Sequence, residues 1–424
     1  MSNNSSLFFS NNIRFNICSV LIFLFPVALI AGPMIAELFL FFIISLSFTY
    51  ADYRSEIIRL IKYNFIIKMF ALFTLYILFL SILNYGNFDI LKTGLFYFRY
   101  ILFSLSILYI INKKPDLIKF FFIFYLSLII LLIIDSFIQH VSGQNIFGYT
   151  KYGSRIVSFF EGEGILGSYI VRFYVLASAF YFFSKVIVNK IILITIIFLI
   201  FILLIFSLER SALILFLIGN VLMFFTLYQS KKYLVSKALI LIVLICLCFF
   251  FISKNNNFFI ERFYKQTKVE ISKFFDDGVD FKRKNILIVS YNIGSKYYII
   301  GSGPKSFRYK CKDLENQVEG TKIFDEKKRY ELNCINHPHN YLFQLYAETG
   351  LIGLIFYLCF LFHLLKKILF TSSINTTLLC LKFTSISLLI NIFPVIGNGN
   401  IFNNFLSMIF FYNLSFFLYF NQIN

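Results

Sequence analysis

Two histidines and an asparagine precede a long apolar stretch in the segment HPHNYLFQLYAETGLIGL, residues 337–354. Imidazole titrates near neutral pH, so His337 and His339 can each accept or donate a proton during a reaction. The same side chains can instead be interfacial polar groups at the start of a helix, with Pro338 fixing the turn before it. These residues alone leave both interpretations open.

Three arginines lie at or near the ends of apolar segments, and guanidinium groups can hold phosphate oxygens through paired hydrogen bonds. Arg155 precedes one apolar segment, Arg210 stands between two others, and Arg172 lies about two turns inside a span. A charge within an apolar span is costly, which favours a functional role for Arg172. Arginine at a helix end more commonly snorkels to the interface, however, and Glu209 can simply pair with Arg210.

Neither a nucleotide-binding loop nor a metal site is predicted. The segment IIGSGPKSF, residues 299–307, has closely spaced glycines but lacks the Gly-Lys-Ser/Thr of a P-loop, so it predicts a tight turn. His337 and His339 supply too few ligands for a metal ion, and no other spacing of His, Cys or carboxylates matches a metal site. We therefore expect chemistry that needs no metal, no cofactor and no ATP hydrolysis.

The composition of the chain is that of a membrane protein. Of its 424 residues, 59% are hydrophobic and only 14% are charged, with a mean hydropathy of +0.79. Soluble domains carry about 25% charged residues. The formal charge of +18 is dispersed over short loops rather than clustered, which argues against a nucleic acid partner.

The hydropathy pattern predicts an all-α polytopic membrane protein with about twelve transmembrane helices. The predicted spans cover residues 15–31, 34–50, 64–84, 95–112, 117–138, 164–183, 191–208, 211–229, 238–253, 341–364, 374–396 and 401–420. Residues 1–253 hold the first nine spans and residues 341–424 hold the last three. Between them, residues 254–340 form one large polar loop that is expected to be helical.

Lysine and arginine follow every even-numbered span, and this excess marks the cytoplasmic side of a membrane protein. Both termini are therefore expected in the cytoplasm, and the loop 254–340 on the extracytoplasmic face. Cys311 and Cys334 of this loop then lie in an oxidising compartment, where we expect a disulfide worth about 3 kcal/mol. Two unpaired thiols are the alternative. The bridge would hold the segment before His337 against the loop.

Four parts of the chain resemble the family of O-antigen ligases and Wzy-type polymerases, membrane glycosyltransferases that use undecaprenyl-diphosphate-linked glycans as donors. They are DSFIQHVSGQNIFGY (135–149) with RIVSFFEGEGILGSYIVR (155–172), LERSALILFL (208–217), IIGSGPKSF (299–307) and HPHNYLFQLYAETGLIG (337–353). The last is the most specific, because a His-Asn pair, an acid and paired glycines enter a late span at the family's spacing. The resemblance covers roughly residues 130 to 365.

The resemblance implies a metal-free transfer in which a histidine of the periplasmic loop is the base and arginines hold the donor diphosphate. On the matching positions the catalytic candidates are His339 and its neighbour His337. The diphosphate candidates are Arg210, Arg155 and Arg172. The supporting candidates are Glu163, for which Glu161 is an equally good match, Asn340 and Glu348.

The implied activity is that of an O-antigen ligase, which moves a glycan from undecaprenyl diphosphate to a sugar hydroxyl of the lipid A core at the periplasmic face of the bacterial inner membrane. A Wzy-type polymerase, which joins O-antigen or exopolysaccharide repeat units to a growing glycan, is the alternative. A protein O-oligosaccharyltransferase is a third possibility. A polysaccharide flippase or transporter is disfavoured, because the polar residues concentrate at one face. Membrane lipids are further expected partners, and the oligomeric state is left open.

Overall fold

The computed structural model describes residues 12–84, 86–184, 186, 188, 190–228, 260–276, 281–316, 334–371, 375–396 and 399–424. In these ranges the structure is helical with two isolated β-bridges and no strand, so the all-α prediction is confirmed for them. The helices are α1 (Ile13–Ala31), α2 (Pro33–Phe48), α3 (Ala51–Tyr63), α4 (Phe65–Leu83), α5 (Phe88–Lys113), α6 (Leu117–Ser142), α7 (Leu166–Ser184), α8 (Lys190–Phe206), α9 (Arg210–Tyr228), α10 (Gln266–Phe275), α11 (Lys282–Lys296), α12 (Phe307–Lys310), α13 (Tyr341–Phe370), α14 (Thr376–Asn391) and α15 (Asn404–Gln422). A π-helical stretch, Ile260–Lys265, leads into α10.

Seven of the described helices are long and apolar enough to cross a membrane, namely α1, α4, α5, α6, α7, α9 and α13. An eighth is added if the bent pair of α2 and α3 counts as one span, and α8 and α14 contain shorter apolar helices. The protein is therefore a multi-pass membrane protein, while the total of twelve spans stays a prediction. The predicted ninth span, residues 238–253, lies outside the described residues.

The second predicted span, residues 34–50, corresponds to α2, which ends at Phe48. A further helix that was not predicted, α3, starts at Ala51 after a bend of 100°. Helix α3 is amphipathic: Tyr53 and Ile57 are buried, and the Tyr53 hydroxyl is 2.8 Å from the Ser106 hydroxyl of α5. An amphipathic helix that follows a span at a right angle fits an interfacial position.

Helix α13 is kinked at Gly350, whose φ of +61° favours glycine. The backbone of residues 298–301 docks at this kink, where the Leu351 N–H donates to the Tyr298 carbonyl at 2.8 Å. A Cβ atom on Gly301 would lie 2.5 Å from the backbone of α13, and one on Gly350 would lie 2.4 Å from the Ile299 carbonyl. The glycines of both segments are therefore required for this close approach.

Several interhelical segments meet at one end of the bundle. The polar loop reaches the start of α5 through a hydrogen bond from the Tyr309 hydroxyl to Asp89. The same loop reaches the start of α9 through a hydrogen bond of 3.0 Å from Arg210 to Thr267. Helix α13 begins at this end too, directly after the two histidines. The packing thus gathers the polar residues of distant segments on one face, as a shared site requires.

Candidate active site

The two histidines lie in the turn before α13, with their ring centroids 4.1 Å apart. His339 has an exposed side chain and a φ of +57°, while His337 is half-buried. Helix α13 is capped by Asn340, whose Oδ1 accepts hydrogen bonds from the N–H groups of Leu342 at 3.0 Å and Phe343 at 3.3 Å. The capping role belongs to Asn340 and not to a histidine. A left-handed backbone at a non-glycine residue is strained, and strained residues of this kind cluster at functional sites.

Arg172 is buried beneath this turn, with 1% of its surface exposed. Its guanidinium donates hydrogen bonds to the Ser168 hydroxyl and, at 2.8 Å, to the Ser168 carbonyl. It also donates to the hydroxyl of Tyr341, the first residue of α13. Arg172 therefore joins α7 to the helix that carries the histidine turn.

Glu209 is buried between α8 and α9. Its carboxylate oxygens accept hydrogen bonds from the backbone N–H groups of Gly167 at 2.7 Å and Ser168 at 3.0 Å, at the start of α7. Burial raises the pKa of Glu209 to about 7, although these N–H groups and the nearby charges of Arg155 and Arg172 act in the opposite direction. Glu209 holds the start of α7 in place. The sequence had allowed Glu209 to pair with Arg210, but the structure does not show this pair.

Arg210 reaches the polar loop. Its guanidinium donates to Thr267 at 3.0 Å and to Glu270 at 2.9 Å, both in α10. The second carboxylate oxygen of Glu270 accepts a hydrogen bond of 2.8 Å from Arg283 of α11. A single carboxylate thus holds two guanidinium groups from different parts of the chain.

Arg155 lines a cavity of about 760 Å³ next to this ion-pair network. The other lining residues are Tyr152, Gly153, Ser154, Leu208, Glu261, Arg262 and Gln266. Burial lowers the pKa of Arg262, and the positive charges of Arg155, Arg210 and Arg283 lower it further. We call these four residues the arginine cluster. Three carboxylates are neighbours of the cluster: Glu261 lines the cavity, Glu270 pairs with Arg210 and Arg283, and Glu209 lies near the charge of Arg155, so the guanidinium groups outnumber the carboxylates.

The segment that carries Arg155 is fixed by polar residues in the last turns of α6. Asp135 is fully buried and accepts a hydrogen bond of 2.5 Å from the Ser158 hydroxyl. Gln139 accepts hydrogen bonds of 2.9 Å from the backbone N–H groups of Val157 and Ser158. Buried polar groups with complete hydrogen bonding define a unique geometry, so this network determines where Arg155 lies.

The remaining two supporting candidates occupy different places. Glu163 has an exposed side chain in the segment between α6 and α7. Glu348 is fully buried in α13, where it accepts hydrogen bonds from the Phe307 N–H at 3.1 Å and from Gln344 at 2.9 Å. Glu348 therefore fixes the IIGSGPKSF segment to α13, nine residues after His339.

Cys311 and Cys334 are joined by a disulfide. Both are buried in a small apolar cluster that the loop forms against α13. The other members of this cluster are Ile286, Val289, Ile293, Phe307 and Ala347. The bridge fixes the chain three residues before His337 to this second core.

Sequence reasoning named Arg155 and Arg210 but not Arg262 and Arg283. Both missed residues lie among many cations of the polar loop, and only the docking of α10 and α11 beside α9 distinguishes them.

In the described ranges, no group of three or more His, Cys, Asp or Glu side chains is placed to hold a metal ion.

Fold and site together define a multi-pass membrane protein with an arginine cluster at the end of the bundle where a histidine turn begins α13. Residues 195–358 match the family model described as O-antigen ligase. The matched region runs from α8 into α13, so it includes three of the four clustered arginines and both histidines. The resemblance to the O-antigen ligase family is thereby confirmed for this part of the chain. Among curated proteins, no match to the chain was found.

Proposed function

We propose that this protein is a glycosyltransferase that moves a glycan from undecaprenyl diphosphate to a sugar hydroxyl of the lipid A core, at the periplasmic face of the bacterial inner membrane. The observation that carries the proposal is the arginine cluster beside a cavity of about 760 Å³, at the end of the bundle where His339 precedes α13. Guanidinium groups that outnumber the neighbouring carboxylates suit a diphosphate. The O-antigen ligase match supports the class of reaction.

In the proposed reaction, the acceptor hydroxyl attacks the anomeric carbon of the donor glycan. A new glycosidic C–O bond forms, and the bond from the anomeric carbon to the diphosphate oxygen breaks. The exposed imidazole of His339 takes the proton of the hydroxyl as its oxygen attacks. His337, with its ring 4.1 Å away, is the second candidate for this role.

The leaving group is undecaprenyl diphosphate, on which negative charge develops as the bond breaks. Arg155 and Arg210 stabilise this charge through hydrogen bonds to phosphate oxygens, and Arg262 and Arg283 add to the positive field. Glu270 holds Arg210 and Arg283 in position before the donor binds, because it accepts a hydrogen bond from each. Arg172 is enclosed by Ser168 and Tyr341, so we assign it a positioning role beneath the histidine turn.

A Wzy-type polymerase is the second candidate function. It uses the same donor, but its acceptor is a glycan that is itself carried on a polyprenyl lipid.

The test is a lipopolysaccharide profile of a deletion strain complemented with wild type, His339→Ala, His337→Ala or His363→Ala. His363 lies 24 residues further along α13, so its variant controls for the loss of an imidazole at the other end of the helix. We expect only His339→Ala to lose all long-chain glycan. Polymer left on the undecaprenyl carrier identifies a ligase, whereas single capped repeat units identify a polymerase. Long-chain glycan at the wild-type level in His339→Ala contradicts the proposal.

A further inference from the structure

Helix α3 lies at the opposite end of the bundle from the polar loop. Asp89 at the start of α5 accepts a hydrogen bond from Tyr309 of that loop, whereas Lys113 at the end of α5 forms an ion pair with Asp52 of α3. The 26 residues of α5 rise about 39 Å, so these two contacts lie on opposite sides of a membrane. The charge pattern of the sequence predicts the cytoplasmic side for α3.

Two contacts with α5 determine how α3 is rotated about its own axis. Lys113 is the last residue of α5, so its ion pair with Asp52 marks the side of α3 that faces water. The Tyr53 hydroxyl instead lies 2.8 Å from the Ser106 hydroxyl and 3.3 Å from the Leu102 carbonyl, about two to three turns deeper in the bundle. The side of α3 opposite Asp52 therefore faces the bilayer.

The side of α3 opposite Asp52 is apolar and exposed. At about 100° per residue, Ile58 and Ile61 project there, and 70% and 37% of their surfaces are exposed. Arg54 projects between these two isoleucines, and Lys62 projects beside Ile58. Both cations are exposed. An exposed apolar stripe that carries cations is typical of a helix that lies in the headgroup region of a bilayer.

Both acids of α3 are matched by cations other than these two. Glu56 lies 3.5 Å from Arg59 on the side that faces water, just as Asp52 pairs with the end of α5. Within the described part of the chain, neither Arg54 nor Lys62 forms an ion pair at 4.0 Å or less. The side of α3 that faces the bilayer therefore carries two positive charges, which negatively charged headgroups can balance.

The beginning of α4 continues this surface. Exposed apolar residues follow one stripe along α4 at helical spacing, namely Phe65, Leu72, Leu75 and Phe79. Lys68 is exposed on the same stripe, in the first turn of α4 and six residues after Lys62. A lysine on a lipid-facing stripe near a helix end extends its ammonium group to the headgroups. Helix α4 thus adds a third cation near α3.

We propose that α3 and the first turn of α4 form a binding surface for negatively charged phospholipids. Arg54, Lys62 and Lys68 contact the headgroups, and Ile58 and Ile61 insert between the lipid chains. The occupant is a lipid bilayer rather than a protein partner or a second copy of the chain, because this positively charged surface is continuous with the lipid-facing stripe of the membrane-spanning helix α4. The binding does not depend on the proposed function.

Tryptophan fluorescence tests this surface, because the chain contains no tryptophan and Ile58→Trp introduces a single reporter. The purified full-length Ile58→Trp protein is placed in phosphatidylcholine bilayers that contain brominated phosphatidylglycerol or an equal amount of brominated phosphatidylcholine. Bromine quenches a tryptophan that touches the lipid. Each cation at an anionic surface strengthens binding by up to about fivefold. We expect quenching by both lipids, with a binding constant at least fivefold higher for phosphatidylglycerol.

Charge variants in the Ile58→Trp background locate the preference. Arg54→Gln/Lys62→Gln should lower it below twofold, and Lys68→Gln should lower it partly. Arg59→Gln removes one positive charge from the side that faces water and should keep at least a fivefold preference. Thermal unfolding in detergent reports whether each variant is folded. Arg54→Gln and Lys62→Gln, each with an expected loss of at least twofold, give the same comparison if the double variant does not fold.

Three results would overturn the proposal. If neither brominated lipid quenches Ile58→Trp, this side of α3 faces water or a protein partner. If the two lipids quench equally, the surface touches the bilayer without selecting a negative headgroup. If Arg59→Gln loses as much preference as Arg54→Gln or Lys62→Gln, the selection follows the net charge of the protein and not this surface.

Discussion

Arg172 donates a hydrogen bond to the hydroxyl of Tyr341, and this contact joins α7 to the first turn of α13. His339 lies two residues before Tyr341, and the Ser168 backbone that Arg172 also contacts is held by Glu209. A continuous set of contacts therefore runs from the histidine turn to the start of α9, where Arg210 lies. The relative position of the proposed base and the proposed diphosphate site depends on this buried link.

Tyr341→Phe removes the hydroxyl that accepts from Arg172 and leaves a buried guanidinium with fewer partners. A lost partner of a buried charged group costs about 1–3 kcal/mol. We expect a lower midpoint of thermal unfolding in detergent, together with a lower turnover number and little change in donor affinity. Tyr346→Phe changes a half-buried tyrosine one turn further along α13 and should leave turnover unchanged. Equal turnover in wild type and Tyr341→Phe would exclude the positioning role of Arg172.

Arg210→Ala should abolish glycan transfer while membrane insertion stays intact, because it removes a guanidinium from the proposed diphosphate site. Loss of a charged contact of this kind lowers the rate about 10²–10³-fold. Glycan ladders in a complemented strain report transfer, and the amount of protein in isolated membranes reports insertion. Lys268→Ala, an exposed cation of α10, is the matched control. Normal glycan ladders in Arg210→Ala would show that Arg210 is not part of the diphosphate site.

The stability of the protein should depend on pH through Glu209. Burial raises the pKa of Glu209 from 4.5 to about 7, so the folded protein binds its proton more tightly than the unfolded chain does. The resulting stabilisation is fully present below pH 4.5 and is lost as the pH rises through about 7. A shift of this size corresponds to about 3 kcal/mol.

Thermal unfolding of wild type and Glu209→Gln between pH 5 and 8 measures this effect. The wild-type midpoint should fall with pH relative to the midpoint of Glu209→Gln, in which the titrating group is absent. Glu163→Gln, at an exposed carboxylate, should follow the wild type. Parallel pH profiles for wild type and Glu209→Gln would show that Glu209 titrates outside this range.

Cys334 should resist thiol labelling in intact cells until a reductant is added, because it is bonded to Cys311 and buried. A membrane-impermeant maleimide followed by mass spectrometry measures the labelled fraction. Cys311→Ser frees Cys334 and should allow its labelling after mild unfolding. Immediate labelling of Cys334 in the wild type without reductant would argue against the bridge.

The sequence predicted the features that depend on local pattern. Long apolar runs predict membrane helices because each residue contributes independently to transfer into lipid, and the described helices α4, α6 and α7 lie close to their predicted spans. The bend between α2 and α3 was not predicted. It depends on how Tyr53 and Ile57 pack, and hydropathy does not report packing.

The sequence could name candidate residues but not their neighbours. Glu209 and Arg210 are adjacent in sequence and could have formed a pair, yet the structure gives each a partner from another segment: Gly167 for Glu209 and Glu270 for Arg210. Asp135 and Gln139 at helical spacing in an apolar run were a usable signal for a buried polar network. Arg262 and Arg283 carried no such signal, because their proximity arises only from the docking of α10 and α11.

The most direct test of the account is glycan transfer by purified protein in nanodiscs, with donor binding measured on the same samples. Removal of the base should lower the rate without affecting the donor site, whereas removal of the guanidinium groups should weaken donor binding. We predict that His339→Ala lowers the transfer rate at least 10²-fold with donor affinity unchanged, and that Arg155→Ala/Arg210→Ala weakens donor binding at least tenfold. A wild-type transfer rate in His339→Ala would contradict the role of His339 as the base. Unchanged donor binding in Arg155→Ala/Arg210→Ala would contradict the role of these arginines in donor binding.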